Sequence, residues 1–482
     1  MQMTNGNSPP GVQRAIVLQG GGALGAYDAG VLKALCERIH YIDGNNRKKK
    51  NVFDILAGTS SGAINASIIS GIVGREIDKA EKEGNEPDFE NIWDNAIERL
   101  EEFWTHLSVL SEAEKDLFFD QRWETYKKFN ESAASPEAAR RWYATRQFLQ
   151  YGVENVFKAA VEIRDEKFFD RFNTWYQYDN SPLRNSLKEC DCFPIASRLD
   201  KRHPRLLMVA VDVKDGVAVT FDSYEKSDGS RFSEYDGESG SKHRISYNDG
   251  ITEDHVMASA SVPVNYGYAE LKDSSNAARH YWDGGWLSNT PLRELIGEHQ
   301  SFWVGTMTDA VLDSDMWKEP DQRPRKVPDV RVYITNVWPR AAASLPQDHD
   351  KVVERSRDMF FLDKTDYDEK VANLVDDYIS LVKEMRKLGL SNASNKAAYN
   401  KVLTGLMNST AATSEDPQKG RRNVDLIKGR LDVRVHRIQL APDEDSISAK
   451  FFDFSRRTIE KLMEKGFEDG QKQFKDIFSE DR

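Results

Sequence analysis

Two kinds of apolar pattern alternate along the first part of the chain. Residues 15–19 and 52–57 are short, nearly continuous apolar runs of strand length, whereas 26–39 and 63–69 carry apolar residues at helical spacing. Strand, glycine loop, helix, strand, tight turn, helix is the opening of an α/β domain built on a parallel sheet. From 89 to 187 the pattern turns helical and aromatic, with Trp93, Trp104, Trp123, Trp142 and Trp175 set among charges. Such an insertion either covers a site as a lid or extends the core, and the pattern leaves both open.

Strand character returns at 205–221, around the turn Lys214-Asp215-Gly216. A polar stretch at 225–242 reads as an exposed loop, and a short helix near 255–260 breaks at Pro263. Strands are expected at 279–282, 301–306 and 330–337. Beyond Pro339 the chain reads as mostly helical, amphipathic at 371–388 and 454–478, with one more strand at 433–440 and a polar, mobile stretch at 408–422.

Composition narrows the partners. A chain of 482 residues can bury a large core, and a net charge of -12 offers phosphates no broad basic face, which excludes nucleic acid as a standing partner. The same charge disfavours electrostatic docking on anionic lipid, so membrane contact must use apolar and aromatic side chains. Without a run of about twenty apolar residues or an apolar leader, the expectation is a cytoplasmic protein, peripheral to membrane at most. Cys36, Cys190 and Cys192 are too few for a disulfide framework and fit a reducing compartment. Cys190-Asp191-Cys192 has no second Cys or His pair at ligand spacing, so no metal is expected there.

The candidate chemistry begins at Gly58-Thr59-Ser60-Ser61-Gly62. A G-x-S-x-G element between a buried strand and a helix is a nucleophile elbow, which makes Ser60 the candidate nucleophile and Ser61 its decoy. Gly58 and Gly62 keep the turn free of Cβ atoms, and the following helix aims its N–H groups and positive dipole end at the serine. Upstream, Gly20-Gly21-Gly22-Ala23-Leu24-Gly25 also joins a strand to a helix. Read as G-x-G-x-x-G it suggests a dinucleotide fingerprint, but Asp43, at the required distance, sits in a turn before the second strand rather than at its end. The other use of such a loop is an oxyanion hole, with backbone donors from Gly20, Gly21 and Gly22.

The third element is Trp282-Asp283-Gly284-Gly285, where an aspartate ends an aromatic strand and Gly284 and Gly285 let the serine turn approach. Partly desolvated, Asp283 can act as the base. A conventional triad needs a histidine after the acid; His299, His349 and His436 stand in no motif, and His280 lies three residues from Asp283, on the opposite strand face. A Ser60–Asp283 dyad is the reading of the residues.

Glycine loop, G-x-S-x-G and D-G-G in this order resemble the patatin-like phospholipase family, as do Ala258-Ser259-Ala260-Ser261-Val262-Pro263. The stretch from Val433 through Phe451-Phe452-Asp453-Phe454 resembles the C-terminal extension of one bacterial subgroup. The resemblance implies an α/β three-layer sandwich with a mainly parallel central sheet, a helical insertion (about 89–187) and a mostly helical C-terminal extension. The boundaries expected are a disordered leader at 1–13, a catalytic domain at 14–310 and the extension at 311–482. It further implies a serine lipid acyl hydrolase acting on phospholipid or other acyl-lipid esters: Ser60 as nucleophile, Asp283 as general base, Gly20, Gly21 and Gly22 as oxyanion hole, Gly25, Gly58, Gly62, Gly284 and Gly285 as supports, and no cofactor or metal. Many relatives carry Arg or Lys where this chain has Leu24, so the loop here relies on backbone donors and the helix dipole. Two other readings stand beside it: a non-catalytic lipid-binding relative and a dinucleotide-binding oxidoreductase. Oligomeric state, head group and acyl length are not written in the motifs.

Overall fold

The early apolar runs form the middle of a sheet because both of their faces are covered. In the computed structural model, which describes residues 11–130, 134–159, 176–226, 228–237, 240–305, 327–392, 394–410, 422–424 and 431–479, β1 (Val12–Leu18) pairs in parallel with β2 (Ile55–Thr59). Every residue of β2 is buried, as expected of a central parallel strand. Between them runs α1 (Gly25–Asp43), and α2 (Ser61–Lys82) leaves β2.

The insertion contributes α3 (Phe89–Leu107), α4 (Glu112–Lys115), α5 (Phe119–Asn130), α6 (Pro136–Tyr151), a small antiparallel sheet of β3 (Gly152–Val153), β4 (Phe157–Ala159) and β5 (Tyr178–Asp179), and α7 (Ser181–Glu189). Of the two uses the sequence allowed, α3 extends the core. Its Trp93 and Trp104 are fully buried, and their indole N–H groups donate to Asn51 Oδ1 (3.1 Å) and Asn65 Oδ1 (2.8 Å). Trp175 lies outside the described residues.

The chain then returns to the sheet as β6 (Arg205–Asp212) and β7 (Val217–Asp222), and forms a separate hairpin of β8 (Phe232–Asp236) and β9 (Lys242–Ser246). The hairpin corrects the loop expected at 225–242. Its polar strands are held by pairing Phe232 with Ser246, with the Arg244 guanidinium 3.9 Å from the Phe232 ring centre. Next come α8 (Glu253–Ala260), β10 (Ala269–Lys272), β11 (Ala278–Asp283) and α9 (Leu292–Gly305). The strand expected at 301–306 is the last turn of α9, because Leu292, Leu295, His299 and Trp303 bury one helical face. The expected domain boundary at 310 and most of the leader at 1–13 lie outside the described residues.

The later chain supplies β12 (Asp329–Asn336), α10 (His349–Phe361), α11 (Asp366–Asn392), α12 (Lys396–Asn408), β13 (Val433–Gln439) and α13 (Arg456–Ser479). The central sheet is eight-stranded, in the order β10-β11-β6-β2-β1-β12-β13 with β7 also on β6. From β6 to β13 every neighbour is parallel. The strands expected at 330–337 and 433–440 thus complete the sheet beside β1. In α11 the amphipathic stripe expected at 371–388 faces solvent at Leu374, Tyr378, Leu381 and Met385. Among the described residues, no helix is long and apolar enough to cross a membrane.

The last helix, α13, packs along α1 with backbones in close approach. A Cβ on Gly30 would lie 1.9 Å from the Met463 carbonyl oxygen, and one on Gly466 would lie 2.1 Å from that of Tyr27. Gly30→Ala is therefore expected to cost about 3 kcal/mol, since the two helices must part. A fall in the urea midpoint at unchanged m-value would register it; an unchanged midpoint would show the crossing to be loose.

Candidate active site

Ser60 stands where β2 gives way to α2, with φ 55° and ψ -123°. L-residues avoid that backbone region, so the turn must be imposed by its neighbours. The glycines explain how. A Cβ on Gly58 would lie 2.3 Å from the Gly62 carbonyl oxygen, and one on Gly62 would lie 2.1 Å from that of Leu18. The turn is anchored further by Thr59, whose hydroxyl donates to the Ser288 carbonyl at 2.8 Å.

Facing Ser60 is Asp283, the last residue of β11, which β6 separates from β2 in the sheet. The Ser60 side chain lies against the Asp283 carboxylate and favours its charged form, and the carboxylate accepts from Gly285 N–H at 2.7 Å. Both residues are buried, Ser60 8% and Asp283 4% exposed. Burial pushes the Asp283 carboxyl up to about 6, against the opposing pull of the Ser60 hydroxyl and the Gly285 N–H. Gly284 is required by packing: its Cβ would lie 2.2 Å from the Val209 carbonyl oxygen.

The glycine loop lies against this pair. A Cβ on Gly20 would sit 3.0 Å from Ser60 Cβ. Two of the expected donors are engaged within the protein: Gly20 N–H donates to the Asn289 carbonyl (3.3 Å) and Gly21 N–H to Ser61 Oγ (2.9 Å). Gly22 has a left-handed φ of 58° and abuts the Phe451 carbonyl, from which its Cβ would be 2.4 Å. Gly25 opens α1 with its Cβ position 2.7 Å from Ser61 Cβ. Leu24 is buried, so that position is apolar in packing as well as in sequence.

Several residues that no motif announced complete the arrangement. Ser60 N–H donates to Ser259 Oγ at 3.0 Å, and the Ser259 hydroxyl donates to the Val209 carbonyl at 2.6 Å. Gln19, fully buried, accepts from Val337 N–H (2.8 Å) and Trp338 N–H (3.2 Å) while donating to Thr290 Oγ1 and the Phe361 carbonyl, both at 3.0 Å. Trp338 Nε1 donates to the Gly20 carbonyl at 2.6 Å. The C-terminal part of the chain thus grips the loop beside Ser60. The only sequence signal for Ser259 was its place in Ala258-Ser259-Ala260-Ser261, and for Gln19 its place in Leu18-Gln19-Gly20 at the head of the glycine loop; for Trp338 there was none, because its partners lie hundreds of residues away.

Ser259→Ala removes an acceptor from one buried backbone group and a donor from another, so a loss of about 1 to 3 kcal/mol is expected. Because the unpaired N–H belongs to Ser60, the rate of covalent serine labelling should fall more than the binding of a substrate analogue. Equal losses in both would reduce Ser259 to a packing role.

The histidines stand elsewhere. His299 Nε2 meets the Pro328 carbonyl at 2.8 Å, and burial holds its imidazole down to about 4. His280 lies 5.3 Å, ring to ring, from Tyr268 on the exposed side of β11, and His436 packs on Tyr333 at 5.5 Å. Asp43, the carboxylate a dinucleotide site would need, is taken by the Arg14 guanidinium at 2.8 and 3.0 Å.

No curated protein matches the chain. Among solved structures, the crystal structure of VipD from Legionella pneumophila aligns over 95% of this chain and 67% of its own at 13% identity and a TM-score of 0.24, a likeness too distant to bear on fold or function. The patatin-like phospholipase family profile matches residues 16–296, which run from β1 through the elbow and Asp283 into α9. With more than half of its length matched, and its mainly parallel sheet carrying the serine turn on a central strand, the chain belongs to the patatin-like phospholipase family, whose members are lipid acyl hydrolases.

Proposed function

We propose that the protein is a serine hydrolase that cleaves carboxylic esters of phospholipids or other acyl lipids through a Ser60–Asp283 dyad and an acyl-enzyme. The observation that carries this is the buried Ser60 hydroxyl set beside a buried carboxylate whose proton affinity burial has raised. Ser60 Oγ attacks the ester carbonyl carbon as its proton passes to Asp283. Collapse of the tetrahedral adduct expels the lipid alcohol, which takes the proton back from Asp283. A water that gives its proton to Asp283 then cleaves the acyl-enzyme, releasing the fatty acid and restoring Ser60.

The developing oxyanion needs donors beside Ser60. With the N–H groups of Gly20 and Gly21 engaged, the proposed donors are Gly22 N–H and the first N–H of α2, on Ser61, supported by the positive end of that helix. Engagement of Gly21 with Ser61 Oγ also explains how the decoy serine is occupied. For contact with lipid, Trp286, Leu287 and Phe360 are each about half exposed, and the Trp286 and Phe360 rings lie 5.4 Å apart. This apolar rim follows the Asp283 turn directly and suits peripheral contact with a lipid surface despite the acidic net charge.

The decisive experiment is labelling with a fluorophosphonate, read as a mass shift on a mapped peptide. Labelling at Ser60 is expected, with none in Ser60→Ala. A label on Ser61, or labelling that survives Ser60→Ala, would overturn the assignment.

A further inference from the structure

We propose a binding site for a divalent cation of the zinc class where the C-terminal end of α1 meets α3, with Cys36 Sγ, His40 Nε2 and Asp94 Oδ1 as its protein ligands. The site lies apart from the Ser60–Asp283 pair and does not depend on the hydrolase reading. Cys36 and His40 stand four residues apart on α1, one above the other on the same face. Asp94 reaches the same point from α3. Cys36 is 2% and His40 6% exposed, whereas the Asp94 side chain is 60% exposed, so the cluster is walled on the protein side and open on the other.

Cys36 Sγ is within hydrogen-bond reach of both His40 Nε2 and Asp94 Oδ1, while the imidazole and the carboxylate do not bond each other, and all three separations suit coordination to one ion. Both Cys36 Sγ (3.3 Å) and Asp94 Oδ1 (3.6 Å) converge on the same imidazole nitrogen, and Sγ lies 3.8 Å from Oδ1. One ring nitrogen carries either a proton or a single in-plane lone pair, so it cannot serve two directed partners, and 3.6 Å is too long for an N–H···O bond. A tetrahedral zinc with ordinary bond lengths sets its ligands about 3.5 Å apart for S to N, 3.5 Å for S to O and 3.3 Å for N to O. The observed separations match these edges to within a few tenths of an ångström.

The charges also suit a dication. On binding, the Cys36 thiol gives up its proton, so that one thiolate and one carboxylate balance the metal's two charges. The final turn of α1, where His40 sits, presents its negative dipole end to the cation. Three protein ligands leave a fourth position on the open side for water. Such a cation would pin α3 to α1, fixing the helix that carries Trp104 against Asn65 of α2. The sequence does not announce the site because its third ligand comes from another helix.

The test uses the full-length protein without an affinity tag, reduced and stripped with chelator, then titrated with Co(II) and, in competition with a chromophoric chelator, with Zn(II). One equivalent of Co(II) is expected to produce a sulfur-to-cobalt charge-transfer band and the intense visible bands of a four-coordinate ion. Cys36→Ser should abolish the charge-transfer band, while the double change Cys190→Ser, Cys192→Ser should leave it. Asp94→Asn alters only an exposed carboxylate and keeps the fold, and it should weaken Zn(II) binding by at least about 10-fold. Absence of the band in the wild type, its persistence in Cys36→Ser, its loss in the double variant, or unchanged Zn(II) affinity in Asp94→Asn would each overturn the proposal.

Discussion

Ser60→Ala is expected to lower kcat/KM on an acyl-lipid ester by about 10,000- to 1,000,000-fold, the range seen when a catalytic nucleophile is deleted and only binding and oxyanion donors remain. The variant should fold, because alanine keeps the Cβ and asks nothing new of the turn. It should also keep the strain: φ 55° with ψ -123° is a conformation that costs a residue with a Cβ about 1 to 3 kcal/mol. Ser60→Gly removes that cost, offset in part by the greater entropy of glycine in the unfolded chain. The glycine variant should therefore be equally inactive yet have the higher urea midpoint of the two. Retained turnover in either variant would sink the nucleophile assignment. A glycine variant less stable than the alanine one would sink the strain argument and leave the chemistry untouched.

The positions of Ser60 and Asp283 in the fold were both visible beforehand. The strand before Ser60 and the helix after it were legible because β2 is apolar throughout and α2 resumes a helical period, and the Gly58 and Gly62 contacts with backbone are the physical content of the motif. Asp283 was legible for a similar reason: Gly284 next to it can only be glycine against the Val209 carbonyl. The strand expected at 301–306 failed because Phe302, Trp303 and Val304 are strand-forming residues, yet 301–305 here end a helix begun at Leu292, with Trp303 on its buried face and Phe302 and Val304 partly buried beside it. Tertiary burial outweighed local propensity.

The engagement of the glycine loop was not legible at all. Gly21 N–H meets a hydroxyl from the neighbouring turn, and Gly20 is held on both sides by Asn289 and Trp338. These are long-range hydrogen bonds between single side chains and backbone, and neither periodicity nor composition encodes them. They also tie the completion of the sheet to the site: Val337 and Trp338, which follow β12, are the residues that bind Gln19 at the end of β1. Order in the loop that faces Ser60 thus depends on chain lying far beyond Asp283.

Asp283→Asn should reduce kcat/KM by about 100- to 10,000-fold, the usual contribution of a positioned general base. In the wild type the base works only when ionised, so kcat/KM should fall about tenfold per pH unit below its value of about 6, and the variant's residual rate should lack that limb. Stability should move the other way. The folded carboxyl binds its proton more tightly than the unfolded one, whose value is about 3.9, so between the two the native state holds more protons. Stability linked to this group is therefore fully present below about pH 4 and is lost as pH rises through 6. Above that, the wild type carries a buried, desolvated carboxylate at a cost of about 3 kcal/mol, and asparagine removes the charge while its carbonyl can still accept from Gly285 N–H. The variant should be the more stable protein at pH 8 and lose that advantage by pH 4, measured by urea unfolding at each pH. A difference that does not change with pH would mean that Asp283 titrates as an ordinary carboxylate, and that burial has not prepared it as a base.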